Sequence, residues 1–163
     1  MNITIRSFEN SDIPFIESLV PRFSGFDLPV WRTKEEIDNA NMKSLKQAME
    51  ISHSNSAIFI AEDEGKVQAG FMHLQIQNDF FNNEKIAYLS DIAVATAFEG
   101  RGIGRILLTY AEKWAHAQGC QAISLYVFAK NTHARSIYEK SGYAEEVIKY
   151  IKPLNHKLKV ENS

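Results

Sequence analysis

The sequence predicts a mixed α/β fold with elements in the order βααβββαβαβ. Three observations carry that reading. Short runs with period-two alternation, such as residues 3–8 with Ile3 and Ile5 against Thr4 and Arg6, are interspersed with stretches whose apolar residues recur at helical spacing. Two strand-like runs, 57–62 and 66–76, are joined by the tight polar turn Asp63-Glu64-Gly65, a hairpin signal. A further strand, 86–94, leads through a short loop into Gly100, Gly102 and Gly104, which open an amphipathic helix.

The remaining elements follow in order. Asn10 or Ser11 caps a first helix that carries Ile13, Ile16 and Leu19 on one face and tolerates Pro14 in its first turn. Residues 22–32 are irregular, with Phe23, Phe26 and Trp31 set around Gly25 and Pro29. Thr33 and Glu36 form a capping box for a second helix running to about Ile51. Residues 77–85 read as a polar loop interrupted by Phe80 and Phe81. The glycine-opened helix buries Ile103, Leu107, Ala111 and Trp114 and stops at Gly119. A strand over 122–128, a short helix over 131–141 closed by Gly142, and a last strand over 143–151 complete the order.

Composition sets the outer limits. A chain of 163 residues, 45% apolar and 23% charged, fits one domain, 1–153, followed by a polar tail, 154–163. A net charge of −2 argues against holding nucleic acid by bulk electrostatics. The single cysteine, Cys120, cannot form an internal disulfide and reads as a small buried hydrophobe in a reducing compartment. No apolar run approaches the ~20 residues of a membrane span, and the N-terminus is polar by its second residue. The expectation is a cytoplasmic protein with neither nucleic-acid nor membrane partners. No His/Cys/Asp spacing suggests a metal.

The glycine stretch is where chemistry first shows. Glycine lets a ligand approach the backbone. The first turn of a helix offers unpaired N–H groups and the positive end of its dipole. Together with Arg101 and Arg105, these features suit a phosphate-bearing cofactor. A P-loop would need Lys-Ser/Thr after the last glycine, where Arg105 and Ile106 stand instead. A dinucleotide fingerprint would need a third glycine where Leu107 or Arg105 falls.

The pattern Glu99-Gly100-Arg101-Gly102-Ile103-Gly104 resembles the pyrophosphate loop of the GNAT superfamily of acetyl-CoA-dependent N-acetyltransferases, with Glu where that family carries Gln or Arg. A second stretch, Asn131-x-x-Ala134-x-x-x-Tyr138-x-x-x-Gly142-Tyr143, is similar to the family's Asn-x-x-Ala-x-x-x-Tyr segment. The element order also matches, so the resemblance covers nearly the whole chain. It implies a central sheet splayed between the fourth and fifth strands, with acetyl-CoA as co-substrate. The main chain of Ile92, Ala93 and Val94 would bond the pantetheine arm, and an N–H near Val94 would polarise the thioester. The pyrophosphate would rest on the N–H groups of Gly100, Arg101, Gly102, Ile103, Gly104 and Arg105. Asn131 and His133 would meet the cofactor at the helix that presents Tyr138. The resemblance also implies that homodimers can form through the late strands.

Amide formation from a thioester needs a proton donor for the departing sulfur and an acceptor for the ammonium proton. Tyr138 is the expected general acid. Ser90 and Asp91 lie on the central strand just before the cofactor contacts, and simple alternation puts them on opposite faces. Asp91, Ser90 with Asp91, or a water relayed from either or from Glu84 are candidate bases; His73 and His133 qualify by ordinary pKa. Acidic residues and aromatics in the variable loops, Asp27, Asp79, Glu84, Phe26, Trp31 and Phe80, suggest a small cationic amine as acceptor. A peptide N-terminus or lysine side chain remains an alternative. So does a non-catalytic acyl-CoA sensor, which would have no need of Tyr138.

Overall fold

The computed structural model describes residues 1–50 and 54–154. Five strands form one sheet in sequential order: β1 (Thr4–Ser7), β2 (Ser56–Glu62), β3 (Gln68–Asn78), β4 (Lys85–Val94) and β5 (Ala122–Leu125). The first four are antiparallel neighbours, and β5 runs parallel to β4. The helices are α1 (Ile13–Leu19), α2 (Lys34–Glu50), α3 (Ile103–Ala117) and α4 (Thr132–Lys140). The expected end of the second helix near Ile51, and all of the polar tail beyond Leu154, lie outside the described residues.

Alternation along the strands gives the sheet two apolar faces, each packed by helices. On one face Phe59, Met72, Leu74 and Leu89 meet Ile103, Leu107, Leu108 and Ala111 of α3. On the other, Ile58, Ile60, Phe71 and Ala93 meet Ile16 and Leu19 of α1 and Leu45 of α2. The central strands therefore read apolar on both sides over much of their length. At the closing edge of this sandwich, Gly70 sits opposite Val94, and a Cβ there would lie 2.8 Å from the Ala93 carbonyl oxygen. Glycine at this position lets β3 and β4 approach closely.

The helix termini follow local chemistry. Thr33 Oγ1 accepts from the Glu36 N–H while the Glu36 carboxylate accepts from the Thr33 N–H, the expected capping box. Asn131 caps α4 by accepting from the Ala134 N–H at 3.3 Å. The entry to α1 differs from expectation. A 3-10 turn over Asn10–Asp12 precedes it, and Asp12 accepts from the Glu9 N–H. Asp12, in place of Asn10 or Ser11, stands at the N-cap of α1, and its side chain reaches back to Glu9 without capping the helix.

The predicted last strand over 143–151 is corrected. These residues carry no strand structure, and Val147, Ile148 and Tyr150 are exposed. Alternation specifies which side chains share a face; it does not supply a partner edge, and an unpaired strand is not stable alone. The fifth strand is also shorter than the expected 122–128. Its ladder with β4 ends at Leu89 and Leu125, because the two strands part beyond that point.

Asp12 anchors the β1 end of the sheet. It is fully buried, takes two hydrogen bonds from the Arg6 guanidinium at 2.8 Å, and accepts from Gln68. Arg6 also donates to the buried Glu62 at 2.8 Å. Burial works against ionisation of Asp12, but Arg6, the Glu9 N–H and Gln68 outweigh it and hold the carboxyl below the usual range. Arg6 likewise holds Glu62 low. Both carboxyls have unfolded values of about 4, so their contribution to stability is complete above that range. It is lost as pH falls through the depressed folded values. Asp12→Ala should lower unfolding free energy by about 3 kcal/mol and remove part of this acid dependence, measurable by urea denaturation at pH 7 and pH 4.

Candidate active site

Beyond Leu89 the β4 chain carries one extra residue. The register moves from Leu74 opposite Leu89 to His73 opposite Asp91, so Ser90 has no partner of its own across the ladder. This is a β-bulge, and it overturns simple alternation. Ser90 and Asp91 fall on the same face, where both meet His73. The Ser90 hydroxyl donates to Asp91 Oδ2 at 2.7 Å. His73 Nδ1 faces Ser90 Oγ at 2.9 Å and Asp91 Oδ2 at 3.2 Å, while Nε2 faces Ser56 Oγ at 2.8 Å. A carboxylate only accepts, so Nδ1 carries the hydrogen. The imidazole is 1% exposed, which makes this a fully built polar network inside the sheet.

Past the bulge, β4 and β5 diverge above α3 and α4. A cleft of about 180 Å3 opens there. Ile92, Ala93 and Val94 from β4, Gly104 from α3, and His133 and Tyr138 from α4 all line it. Six of the residues expected from sequence are thus brought together. Arg22 and Phe23, from the 3-10 turn over Val20–Ser24 that follows α1, complete the wall with Ala134 and Ile137. Sequence reasoning missed Arg22. The only local sign was a basic residue at the start of the irregular aromatic stretch.

The glycine loop has the geometry its composition requires. Gly100 and Gly102 adopt positive φ, 73° and 78°, and Gly102 is the N-cap of α3 without any side-chain cap. A Cβ at Gly100, Gly102 or Gly104 would meet nothing within 4 Å, so the loop and the first turn of α3 are uncrowded there. Ile103 is itself buried, so only its backbone belongs to this cradle. Glu99 pairs with the Arg22 guanidinium, which also donates to Thr96 Oγ1 at 2.9 Å. Arg101 lies over the Phe98 ring, 5.4 Å from its centroid, and Arg105 projects from the exposed side of the first turn.

Tyr138 is half-buried, and burial pushes its phenol above the ordinary value of about 10. Its ring lies 5.8 Å from that of Tyr143. The Tyr143 hydroxyl is buried without a partner, and its pKa is pushed up to about 12 by burial, Glu112 and Tyr138. The Tyr138 hydroxyl is not sealed in this way.

The other residues expected from sequence stand elsewhere. Ser90 and Asp91 are not among the cleft's lining residues; they immediately precede Ile92 on β4 and are held in the His73 network. Asn131 caps α4 at the cleft's rim. Phe26 packs on Phe128 with centroids 5.3 Å apart, and Asp27 pairs with Lys130 at 3.6 Å, so the loop before α2 is tied to the segment after β5. Trp31 lies half-buried in the turn before α2. Phe80 is 92% exposed on the β3–β4 connection, at the opposite end of β4 from Val94, and is not brought to the cleft.

A mixed sheet that parts at its parallel pair, over a glycine-opened helix and a tyrosine-bearing one, defines an acyltransferase architecture. The comparisons agree. Residues 16–143 match the family model described as the Acetyltransferase (GNAT) family. The uncharacterized N-acetyltransferase YhfO of Bacillus subtilis is 29% identical over 144 residues, 88% of this chain and 91% of that protein. A solved structure from Pyrococcus furiosus assigned as an acetyl transferase is 28% identical with a TM-score of 0.74, covering 94% of this chain and all of that one. The aminoglycoside N-acetyltransferase AAC(6')-Iy, solved in complex with CoA, shares the fold at 22% identity, with a TM-score of 0.68 over 93% of this chain and 95% of that one. The chain belongs to the GNAT acetyltransferase family.

Replacing His73 would leave Ser56, Ser90 and Asp91 without their common partner. His73→Leu should cost about 1–3 kcal/mol of stability, read as a lower urea midpoint with an unchanged m-value.

Proposed function

We propose that this acyltransferase moves an acetyl group from acetyl-CoA to a primary amine, by direct attack within a ternary complex. The observation that carries the reading is Tyr138, a phenol raised by burial, in the same cleft as the β4 main chain and Gly104. The residues fit the co-substrate: an open, uncapped helix N-terminus with two left-handed glycines suits a pyrophosphate, and Arg22 and His133 stand beside it. The finding of CoA on AAC(6')-Iy, a protein of the same fold, agrees with that assignment.

When bound, acetyl-CoA supplies an activated acetyl thioester; every remaining task falls to the chain. The backbone of Ile92, Ala93 and Val94, which lines the cleft, would hold the pantetheine arm, and an N–H near Val94 would stabilise negative charge on the thioester oxygen. Asp91 accepts the ammonium proton, directly or through a water, using Oδ1, which has no partner among the described residues. Ser90 and His73 hold Oδ2 and spread the charge. Tyr138 donates its proton to the sulfur as the C–S bond breaks and the C–N bond forms. Its raised pKa keeps that proton in place throughout the neutral range. The glycine-loop N–H groups from Gly100 to Arg105 fix the nucleotide end, and Asn131 keeps α4 in register with them.

Thiol release from acetyl-CoA, measured over polyamines, aminoglycosides, amino acids and short peptides, tests the reading. Tyr138→Phe should lower kcat by about 10²–10⁴-fold with little change in acetyl-CoA affinity. Because the acid form is required and its pKa is raised, wild-type kcat should fall only above about pH 10; the variant's residual rate should lack that limb. Unchanged turnover in Tyr138→Phe overturns the acid assignment. Tight acetyl-CoA binding with no release from any amine overturns the enzymatic reading.

A further inference from the structure

The face of the sheet that bears His73 extends across β4 to β5, where Tyr126 stands exposed. His73 and Gln75 share this face of β3, so their partners across the ladder, Asp91 and Tyr88, share it too. Tyr88 is in turn opposite Ser124 of β5, and Tyr126 follows two residues later on the same side. The two tyrosine rings lie 5.7 Å apart at 74°, nearly perpendicular walls of one corner. Tyr126 is 86% exposed, an unusual position for a tyrosine that merely packs. The Asp91 side chain is 91% buried by contrast, its exposure being 9%. Burial, the Asp91 charge and Tyr126 together push the Tyr88 phenol upward, so the carboxylate bears directly on this corner.

Two ring faces beside a desolvated carboxylate attract cations. The corner stands apart from the cleft that would hold the thioester, because β4 carries Tyr88 below the bulge and Ile92–Val94 above it. Three residues along the strand, one of them bulged, separate Tyr88 from Asp91 by roughly 7–10 Å, the reach of a chain of about four to six methylenes. Among the described residues no Lys or Arg ion pair is made at this corner, and Lys130 and Arg135, which follow β5, are engaged with Asp27 and Glu145.

We infer that the acceptor is an elongated diamine or polyamine, whose reacting amine lies at Asp91 while a second ammonium docks against the exposed ring of Tyr126 beside Tyr88. The inference rests on the acetyl-transfer reading proposed above. An amine of equal length without the distal charge would lose that docking.

The test compares 1,5-diaminopentane with 1-aminopentane as acceptors, by thiol release at pH 7. Wild-type kcat/KM should favour the diamine by about ten-fold. Tyr126→Ala, at an exposed position, should fold normally by circular dichroism and bring the ratio close to one. Tyr126→Phe, which keeps the aromatic face, should retain the preference. Equal kcat/KM for the two amines in wild type, or an undiminished preference in Tyr126→Ala, overturns the inference while the acetyl-transfer reading stands. Release with aminoglycosides or peptides but with neither alkylamine does the same. No release from any amine overturns both together.

Discussion

The site depends on one irregularity in β4. A strand of uniform pleat would send Ser90 and Asp91 to opposite faces and run on beside β5 to the end of the ladder. The extra residue at Ser90 does two things instead. It gathers Ser90 and Asp91 about His73, and it changes the strand's course as pairing with β5 ceases at Leu89 and Leu125. The gap so created is the cleft. Gly70 makes the arrangement sterically feasible from the other side, since β3 can follow the end of β4 only if no Cβ meets the Ala93 carbonyl.

Charge is distributed with the same economy. The glycine loop carries Glu99, a residue that by itself would repel a phosphate. The tertiary structure brings Arg22 to it across 77 residues of sequence, so the carboxylate is paired and a guanidinium stands at the cleft wall. Both partners are substantially solvated, so this pair adds little to stability; its consequence is the local potential. The ion pairs that do support the fold lie at the other side of the sheet, where Arg6 ties Asp12 to Glu62 between β1, β2 and the entry to α1. Stability and chemistry are thereby assigned to different carboxylates.

Burial accounts for the two tyrosines of the last helix and its exit. Tyr143 has its hydroxyl enclosed with no acceptor, a costly arrangement for a phenol. Tyr138, one turn of chain earlier and 5.8 Å away ring to ring, is raised by the same loss of solvent but opens onto the cleft. One ring wall therefore serves packing and the next one chemistry. Of the other aromatic pairs, Phe26–Phe128 ties the loop before α2 to the segment after β5, and Tyr88–Tyr126 lies below the bulge, where β4 and β5 are still paired.

Much of this was legible in the sequence because it is local. The hairpin turn at Asp63-Glu64-Gly65, the Thr33–Glu36 capping box and the glycine-opened helix each depend on residues within about one helical turn. Short-range stereochemistry leaves them few alternatives. The same holds for the two apolar faces, which periodicity alone assigns. What only the tertiary structure decided depends on a partner distant along the chain. His73 sets the side on which Ser90 and Asp91 meet, Arg22 answers Glu99, and Tyr126 arrives beside Tyr88. Residues 143–151 have the alternation of a strand, yet they pair with neither outer strand of the sheet and carry no strand structure. A periodic pattern states which side chains can share a face; register and partner come from the competition among all packed elements, and no single stretch of sequence contains that information.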